Sequence, residues 1–237
     1  GGVEALIDGG PGRSILYALE EARRPTDRYI DLVILSHANL DHYGGLADVV
    51  DRLKVGAFIY NGQVVGDESF RTLRSAIERR GIPVVVLGRG SRLRYRDAVF
   101  DILSPSLPEV RRAKQSEANE LSLIVRLRAG GVRALFTGDI GKKTERALVA
   151  RYGASLASEI LKVPHHGSKN ASSAEFLRAV SPKVALIGVG KNRYGHPTRE
   201  ALDRLALIGA RVLRADRDGT VTLRITGGAL DLLASFP

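Results

Sequence analysis

Ser36-His37-Ala38-Asn39-Leu40-Asp41-His42-Tyr43-Gly44-Gly45 is the stretch on which the reading of the fold turns. It places four potential metal donors, His37, Asn39, Asp41 and His42, within six residues. The apolar run that leads into it, Asp31 to Ser36, reads as a buried strand. A loop leaving such a strand can turn all four donors inward. Gly44 and Gly45 then let the backbone bend close to the site before the next helix.

Working outward, three more clusters follow strand-like segments. Leu135-Phe136-Thr137-Gly138-Asp139-Ile140 ends an apolar strand in a single carboxylate, Asp139. Leu161-Lys162-Val163-Pro164-His165-His166-Gly167-Ser168 pairs two histidines ahead of a glycine. Adjacent side chains of an extended segment point opposite ways, so one of His165 and His166 is expected to bind metal and the other to touch substrate or give a proton. Asn192-Arg193-Tyr194-Gly195-His196-Pro197 offers His, Tyr and Arg on a glycine-containing loop, a set suited to holding a phosphate or a transition state. These clusters contain all five histidines of the chain. A lone histidine is usually structural, but five of them at loop starts after strands form a pattern, because strand ends are where sheets display binding residues.

Between the clusters, strands and helices alternate. Strands are expected at 3–8, 31–36, 56–60, 84–87, 92–96, 99–103, 121–128, 133–137, 159–163, 184–189, 212–213 and 220–225. Helices are expected at 14–24, 45–53, 69–80, 143–152, 173–180 and 198–208. Ser104 to Glu120, polar and carrying Pro105 and Pro108, reads as a loop. Single strands with helices mix with antiparallel-looking runs, which fits sheets with helices on their outer faces rather than one doubly wound parallel sheet.

The 237 residues fit one domain, 1–237, with a sizeable core. Cysteine is absent, so disulfides are excluded and any metal site must use histidine with carboxylate or amide oxygens. No apolar run is long enough to span a bilayer, and no signal peptide is expected. Methionine is absent even at position 1, so the chain reads as a fragment, a processed form or a domain cut from a larger protein. The net charge of +10 favours a polyanionic partner, nucleic acid or anionic lipid. With aromatics at only 5%, no platform for stacking bases is evident.

Taken together, the clusters resemble the metallo-β-lactamase superfamily, whose signature is His-x-His-x-Asp-His after a strand, then an isolated Asp, then a further His-Gly. Here these are His37-x-Asn39-x-Asp41-His42, Asp139, and His165 or His166. In finer detail, Leu6-Ile7-Asp8-Gly9-Gly10-Pro11, the first cluster, Phe136 to Ile140, Val163 to Ser168 and Tyr194 to Pro197 resemble the C-terminal domain of the ComEC family of competence proteins, membrane proteins that import single-stranded DNA. The resemblance implies an α/β fold, the αββα sandwich. It also implies a metal-dependent phosphodiester hydrolase, a DNase that degrades the non-transported strand during natural transformation. Its partners would be DNA, held through its backbone without sequence specificity, and the membrane-channel portion of the parent protein. Its place would be a soluble domain on the extracellular face.

The resemblance further implies two divalent cations. Asp139 would bridge them, with His37 and Asn39 on one and Asp41, His42 and His166 on the other. Asn39 replaces the second histidine of the signature, and the family's middle histidine is missing, with Asn119 or Ser122 near its place. An oxygen-richer donor set points to Mn²⁺ first, with Zn²⁺ or Mg²⁺ as alternatives. Asp41 would orient the nucleophile, and His165 or His196 would protonate the leaving oxygen. Ser168, Lys169, Asn192, Arg193 and Tyr194 would bind substrate. Two rivals remain: a hydrolase of small substrates, such as a phosphodiesterase or lactonase, expected to carry a hydrophobic pocket, and a non-catalytic DNA-binding domain.

Overall fold

The computed structural model describes residues 2–24, 26–226 and 228–234. The chain forms two compact units. The first comprises residues 1–89 and 105–123, the second residues 90–104 and 124–237.

The first unit is built on a four-stranded sheet, β1 (Ala5–Ile7), β2 (Tyr29–Ile34), β3 (Lys54–Tyr60) and β4 (Val84–Val86), paired in that order and parallel throughout. Its helices are α1 (Ser14–Ala22), the single turn α2 (Leu40–Tyr43), α3 (Leu46–Arg52), α4 (Glu68–Arg79) and α5 (Leu107–Arg112). In α4, Phe70, Leu73, Ala76 and Ile77 recur at helical spacing and are buried. They join Ile30, Val33, Leu46, Val49 and Val50 in one core that lies against the sheet.

The second unit carries a mixed seven-stranded sheet. Its strands are β5 (Arg92–Tyr95), β6 (Ala98–Ser104), β7 (Ile124–Ala129), β8 (Val132–Phe136), β9 (Ile160–Lys162), β10 (Val184–Ile187) and β11 (Arg211–Arg214). Strands β5 to β8 are antiparallel neighbours, whereas β8 to β11 run parallel. Helices α6 (Lys142–Tyr152), α7 (Ala174–Val180) and α8 (Arg199–Leu207) supply the crossovers that parallel strands require. Leu148, Phe176, Leu177 and Leu205 pack with Leu135, Leu161 and Ala185 of the strands. The one-turn helix α9 (Ala215–Asp218) precedes the hairpin of β12 (Val221–Thr226) and β13 (Ala229–Ala234), and that hairpin packs Leu223, Ile225 and Leu230 against Leu127, Ala134 and Ile160.

Two expectations need correction. Residues 104–120 are not a loop: they contain α5 and two short 3₁₀ turns at 115–117 and 119–121, so β7 starts at Ile124 rather than Leu121. Ser106 and Glu109 form a reciprocal capping box, with the Ser106 amide and hydroxyl both donating to the Glu109 carboxylate, and Pro108 sits in the first turn, where its missing N–H costs nothing. Nor are His165 and His166 in an extended segment. Both adopt left-handed backbone angles (φ 48° and 51°) inside a 3₁₀ turn, Pro164–Gly167, so their relation is set by a tight turn and not by strand alternation.

Candidate functional site

In the first unit the donor loop leaves β2 and is pinned at once: the Leu35 amide donates to Ile59 O at 2.8 Å and Ser36 O accepts from the Leu123 amide at 2.7 Å. Ser36, His37 and Ala38 are buried. Asn39 then caps the one-turn helix α2, its carbonyl accepting from the His42 and Tyr43 amides. The turn places His42 in the interior, 3% exposed, and Asp41 outward. A Cβ on Gly44 would lie 2.5 Å from Pro11 O, and one on Gly45 2.5 Å from both Gly9 O and Gly12 O. The paired glycines are thus required by the close approach of the 9–12 loop, not by a left-handed backbone.

Asp8, at φ +63° just after β1, organises this cluster. Its Oδ1 accepts from the Ser36 amide (2.7 Å), and its Oδ2 accepts from the Ser36 hydroxyl (2.8 Å) and from His42 Nδ1 (2.8 Å). Burial alone would raise the Asp8 carboxyl. The facing His42 ring, His37 and the Ser36 amide outweigh burial and hold it below its ordinary value. Because the Ser36 hydroxyl donates to Asp8, it accepts from His37 Nδ1 at 3.0 Å. The rings of His37 and His42 lie 4.1 Å apart between centroids. Asn39 Nδ2 donates to Asn119 Oδ1 at 2.6 Å, and Ser122 braces Asn119 through its carbonyl, at 2.7 Å.

In the second unit, β8 runs into Thr137, whose hydroxyl donates to Lys162 O, and then into Asp139, 2% exposed. The His165 amide donates to Gly138 O at 3.2 Å, which ties the histidine turn to the Asp139 turn. His166 Nδ1 lies 2.6 Å from Gly188 O, and His166 Nε2 lies 3.4 Å from Asp139 Oδ2. A carbonyl only accepts, so Nδ1 carries the proton and Nε2 the lone pair. The His165 and His196 rings stand edge to face at 5.7 Å. Burial first, and then the neighbouring His165 and His166, push the His196 imidazole below its ordinary value, against a smaller opposing pull from Asp139. A Cβ on Gly167 (φ +81°) would lie 2.6 Å from Pro197 Cβ, so glycine permits the contact that locks these two turns together.

The substrate candidates lie nearby in sequence and differ in exposure. Ser168 is buried; Lys169, Arg193 and Tyr194 are exposed, Tyr194 at 83%. Asn192 braces its own loop: Oδ1 accepts from the Tyr194 and His196 amides, while Nδ2 donates to Gly190 O and His196 O. Each unit therefore gathers the candidates it contains, His37, Asn39, Asp41 and His42 in the first, and Asp139, His165, His166 and His196 in the second.

Sequence reasoning missed Asp8 and Ser36. The available signal was a carboxylate between an apolar strand and Gly9-Gly10, with a serine at the head of the histidine cluster. Both hold candidate donors in place without being among them, so no donor spacing reveals them.

The donors fit divalent cations. In His37, His42 and His166 alike, Nδ1 donates to a fixed acceptor, respectively Ser36 Oγ, Asp8 and Gly188 O, which leaves Nε2 as the nitrogen that could coordinate a metal. Metal-binding histidines are oriented in this way. Asn39, with Nδ2 engaged by Asn119, presents its oxygen.

Residues 1–191 match the family described as the metallo-beta-lactamase superfamily. The chain is 32% identical over 198 residues to ComE operon protein 3 of Bacillus subtilis, covering 83% of this chain and 25% of that protein. It is 34% identical over 204 residues to competence protein ComA of Neisseria gonorrhoeae, covering 86% of this chain and 26% of that protein. The chain thus spans about a quarter of the length of these curated relatives. Among solved structures, the metallo-beta-lactamase fold protein YhfI from Bacillus subtilis matches with a TM-score of 0.54 at 12% identity, over 90% of this chain and 84% of that one. Zn²⁺-bound PqqB from Methylobacterium extorquens matches with a TM-score of 0.53 at 12% identity, over 89% and 81%.

Proposed function

The chain belongs to the metallo-beta-lactamase superfamily, and from that premise we propose that it is a metal-dependent phosphodiester hydrolase, a deoxyribonuclease that degrades the non-transported strand during natural transformation. The observation that carries the metal reading is the common state of His37, His42 and His166, each committed through Nδ1 to a hydrogen-bond acceptor. The DNA reading is supported by the likeness to competence proteins and by the net charge of +10.

In this reading, His37 and Asn39 would hold one divalent cation and Asp41, His42 and His166 a second, with Asp139 as a further ligand. Mn²⁺ suits the oxygen-rich half of the set better than Zn²⁺. Bound there, the cations supply Lewis-acid stabilisation and a water acidic enough to react near neutral pH. The chain's own residues do the rest. Asp8 and Ser36 keep the histidine rings in the coordinating tautomer. Asp41 orients the attacking water. Arg193 and Lys169 offset charge that builds on the phosphate, with Ser168 and Tyr194 lining the bound strand and Asn192 holding their loop in shape. His165 or His196 delivers a proton to the leaving oxygen. The domain, 1–237, would belong to a larger membrane protein and face the outside of the cell; among the described residues, no helix is long and apolar enough to cross a membrane.

The test is cleavage of linear and circular DNA by the purified chain in EDTA, Mn²⁺, Mg²⁺ or Zn²⁺. Cleavage that requires Mn²⁺ and disappears in Asp139→Ala is the expected result. Cleavage that survives Asp139→Ala would sink the site assignment. No cleavage with any metal, together with turnover of a small ester or lactone, would replace the nuclease reading.

A further inference from the structure

One group of residues has no part in the chemistry above: the arginines at the β5 end of the seven-stranded sheet. Arg92 stands opposite Asp101, and Asp101 opposite Arg126. One step along, Arg94 stands opposite Val99, Val99 opposite Arg128, and Arg128 opposite Arg133. Directly opposed residues, and residues two apart on one strand, share a face. Arg92, Arg94, Arg126, Arg128 and Arg133 therefore project from a single face. The opposite face is apolar there, with Leu127 and Ala134 covered by Leu223, Ile225 and Leu230 of the β12–β13 hairpin.

Asp101 sits at the centre of the arginine face, 6% exposed. It takes Arg92 at 2.6 Å, Arg128 at 3.1 Å and Arg126 at 3.4 Å. Glu159 takes Arg133 at 2.8 Å. Among the described residues, Asp101 and Glu159 thus pair with four of these five guanidiniums, so the face carries more positive charge than these carboxylates offset. The array is braced yet open: the Arg92 and Arg128 side chains remain 61% and 43% exposed. At the end of β5, Tyr95 points from the opposite face, where the Arg96 guanidinium lies 5.4 Å from its ring centre.

We propose that this arginine face is a docking surface for the phosphate backbone of a nucleic-acid single strand. The inference rests on the nuclease reading and gives it a place where the strand is held away from the chemistry. Guanidinium forks match phosphate oxygens in pairs, which an ammonium cannot do. Residues two apart on a strand are ~6.6 Å apart, about one phosphate step along an extended strand. A membrane surface would call for large apolar anchors beside the cations, and the exposed residues named on this face are arginines.

The experiment is fluorescence anisotropy of a labelled oligothymidylate against salt, in EDTA so that nothing is cut. It compares wild type with R92Q/R94Q and with R92Q/D101N/R128Q. Asp101 is neutralised in the second variant so that no buried carboxylate is stranded. R74Q/R79Q on α4 is the control, and thermal melts confirm folding. Each surface variant removes two cations, so the salt slope should fall by ~1.4 if both touch phosphates, with weaker binding at every salt concentration and no change in the control. Unchanged affinity and slope in both surface variants, with wild type binding, would overturn the arginine face and leave the nuclease reading intact. No binding by wild type would remove the DNA reading and the face together. Loss of binding to phosphatidylserine vesicles, with oligonucleotide binding unaffected, would make the face a membrane site and overturn the proposal.

Discussion

Asp8 is the residue through which the histidine cluster is held. It lies 28 residues before Ser36 and 34 before His42, and its carboxylate receives donors from both. A partner of this kind typically tunes metal affinity by about 10- to 100-fold. Asp8→Ala should therefore weaken Mn²⁺ binding by about that factor, as read by titration calorimetry of the apo chain, while Asp8→Asn, which keeps an acceptor oxygen, should lose less. Equal affinities across the three proteins would show that Asp8 has no hold on the ligands. The candidate donors His37, Asn39, Asp41 and His42 stand out in the sequence because residues of one loop lie close together along the chain. Asp8 was not, because its role exists only once β1 and β2 pair in parallel and bring its carboxylate beside Ser36.

At the scale of elements, helices α6 and α8 clamp the segment that follows the histidine turn. Glu145 of α6 is fully buried and accepts from the Ser172 and Ser173 amides. Arg204 of α8 donates to the carbonyls of Lys169, Ala171 and Ser172. Glu145→Ala would leave one buried and one part-buried amide without an acceptor, at a cost of about 2–4 kcal/mol. Amide exchange at Ser172 and Ser173 should accelerate in that variant, and native-like protection there would refute the clamp.

A second element-level bond joins β8 to the start of β9. The Arg133 side chain and its backbone amide donate to Glu159. These bonds, opposed by a lesser burial effect, pull the Glu159 carboxyl down to about 2. A depressed acid contributes stability above its unfolded value near 4.5 and loses that contribution as pH falls towards 2. The stability gap between wild type and Glu159→Gln should thus be full at neutral pH and close between pH 4.5 and 2. Denaturant melts across that range would show it, and a gap that stays constant would contradict the pairing. Helix α5 belongs to this scale as well. The prolines around it read as a loop, whereas Ser106-Leu107-Pro108-Glu109 was a capping box in plain sight.

For the whole molecule, metal that binds only the folded chain must stabilise it. At a Mn²⁺ concentration 100 times its dissociation constant the gain is about 2.7 kcal/mol. A chain of this size should then melt about 5–10 °C higher than in EDTA. Melting that ignores the metal would speak against a resident cation. At the same scale the +10 charge becomes specific: five arginines collect on one sheet face because β5, β7 and β8 present alternate positions to it in register.

Two kinds of information divide here along a physical line. The strand-and-helix alternation, the family and the ligand-type residues were readable from the chain, because burial periodicity and single-loop motifs are local in sequence. The parallel order of the first sheet, the change from antiparallel to parallel at β8, the left-handed turn at His165 and His166, and the supporting roles of Asp8, Ser36, Asn119, Glu145 and Arg204 came only with the tertiary structure. Each depends on which distant backbones pair and which buried polar groups must then find partners, and strand pairing across tens of residues leaves no local mark.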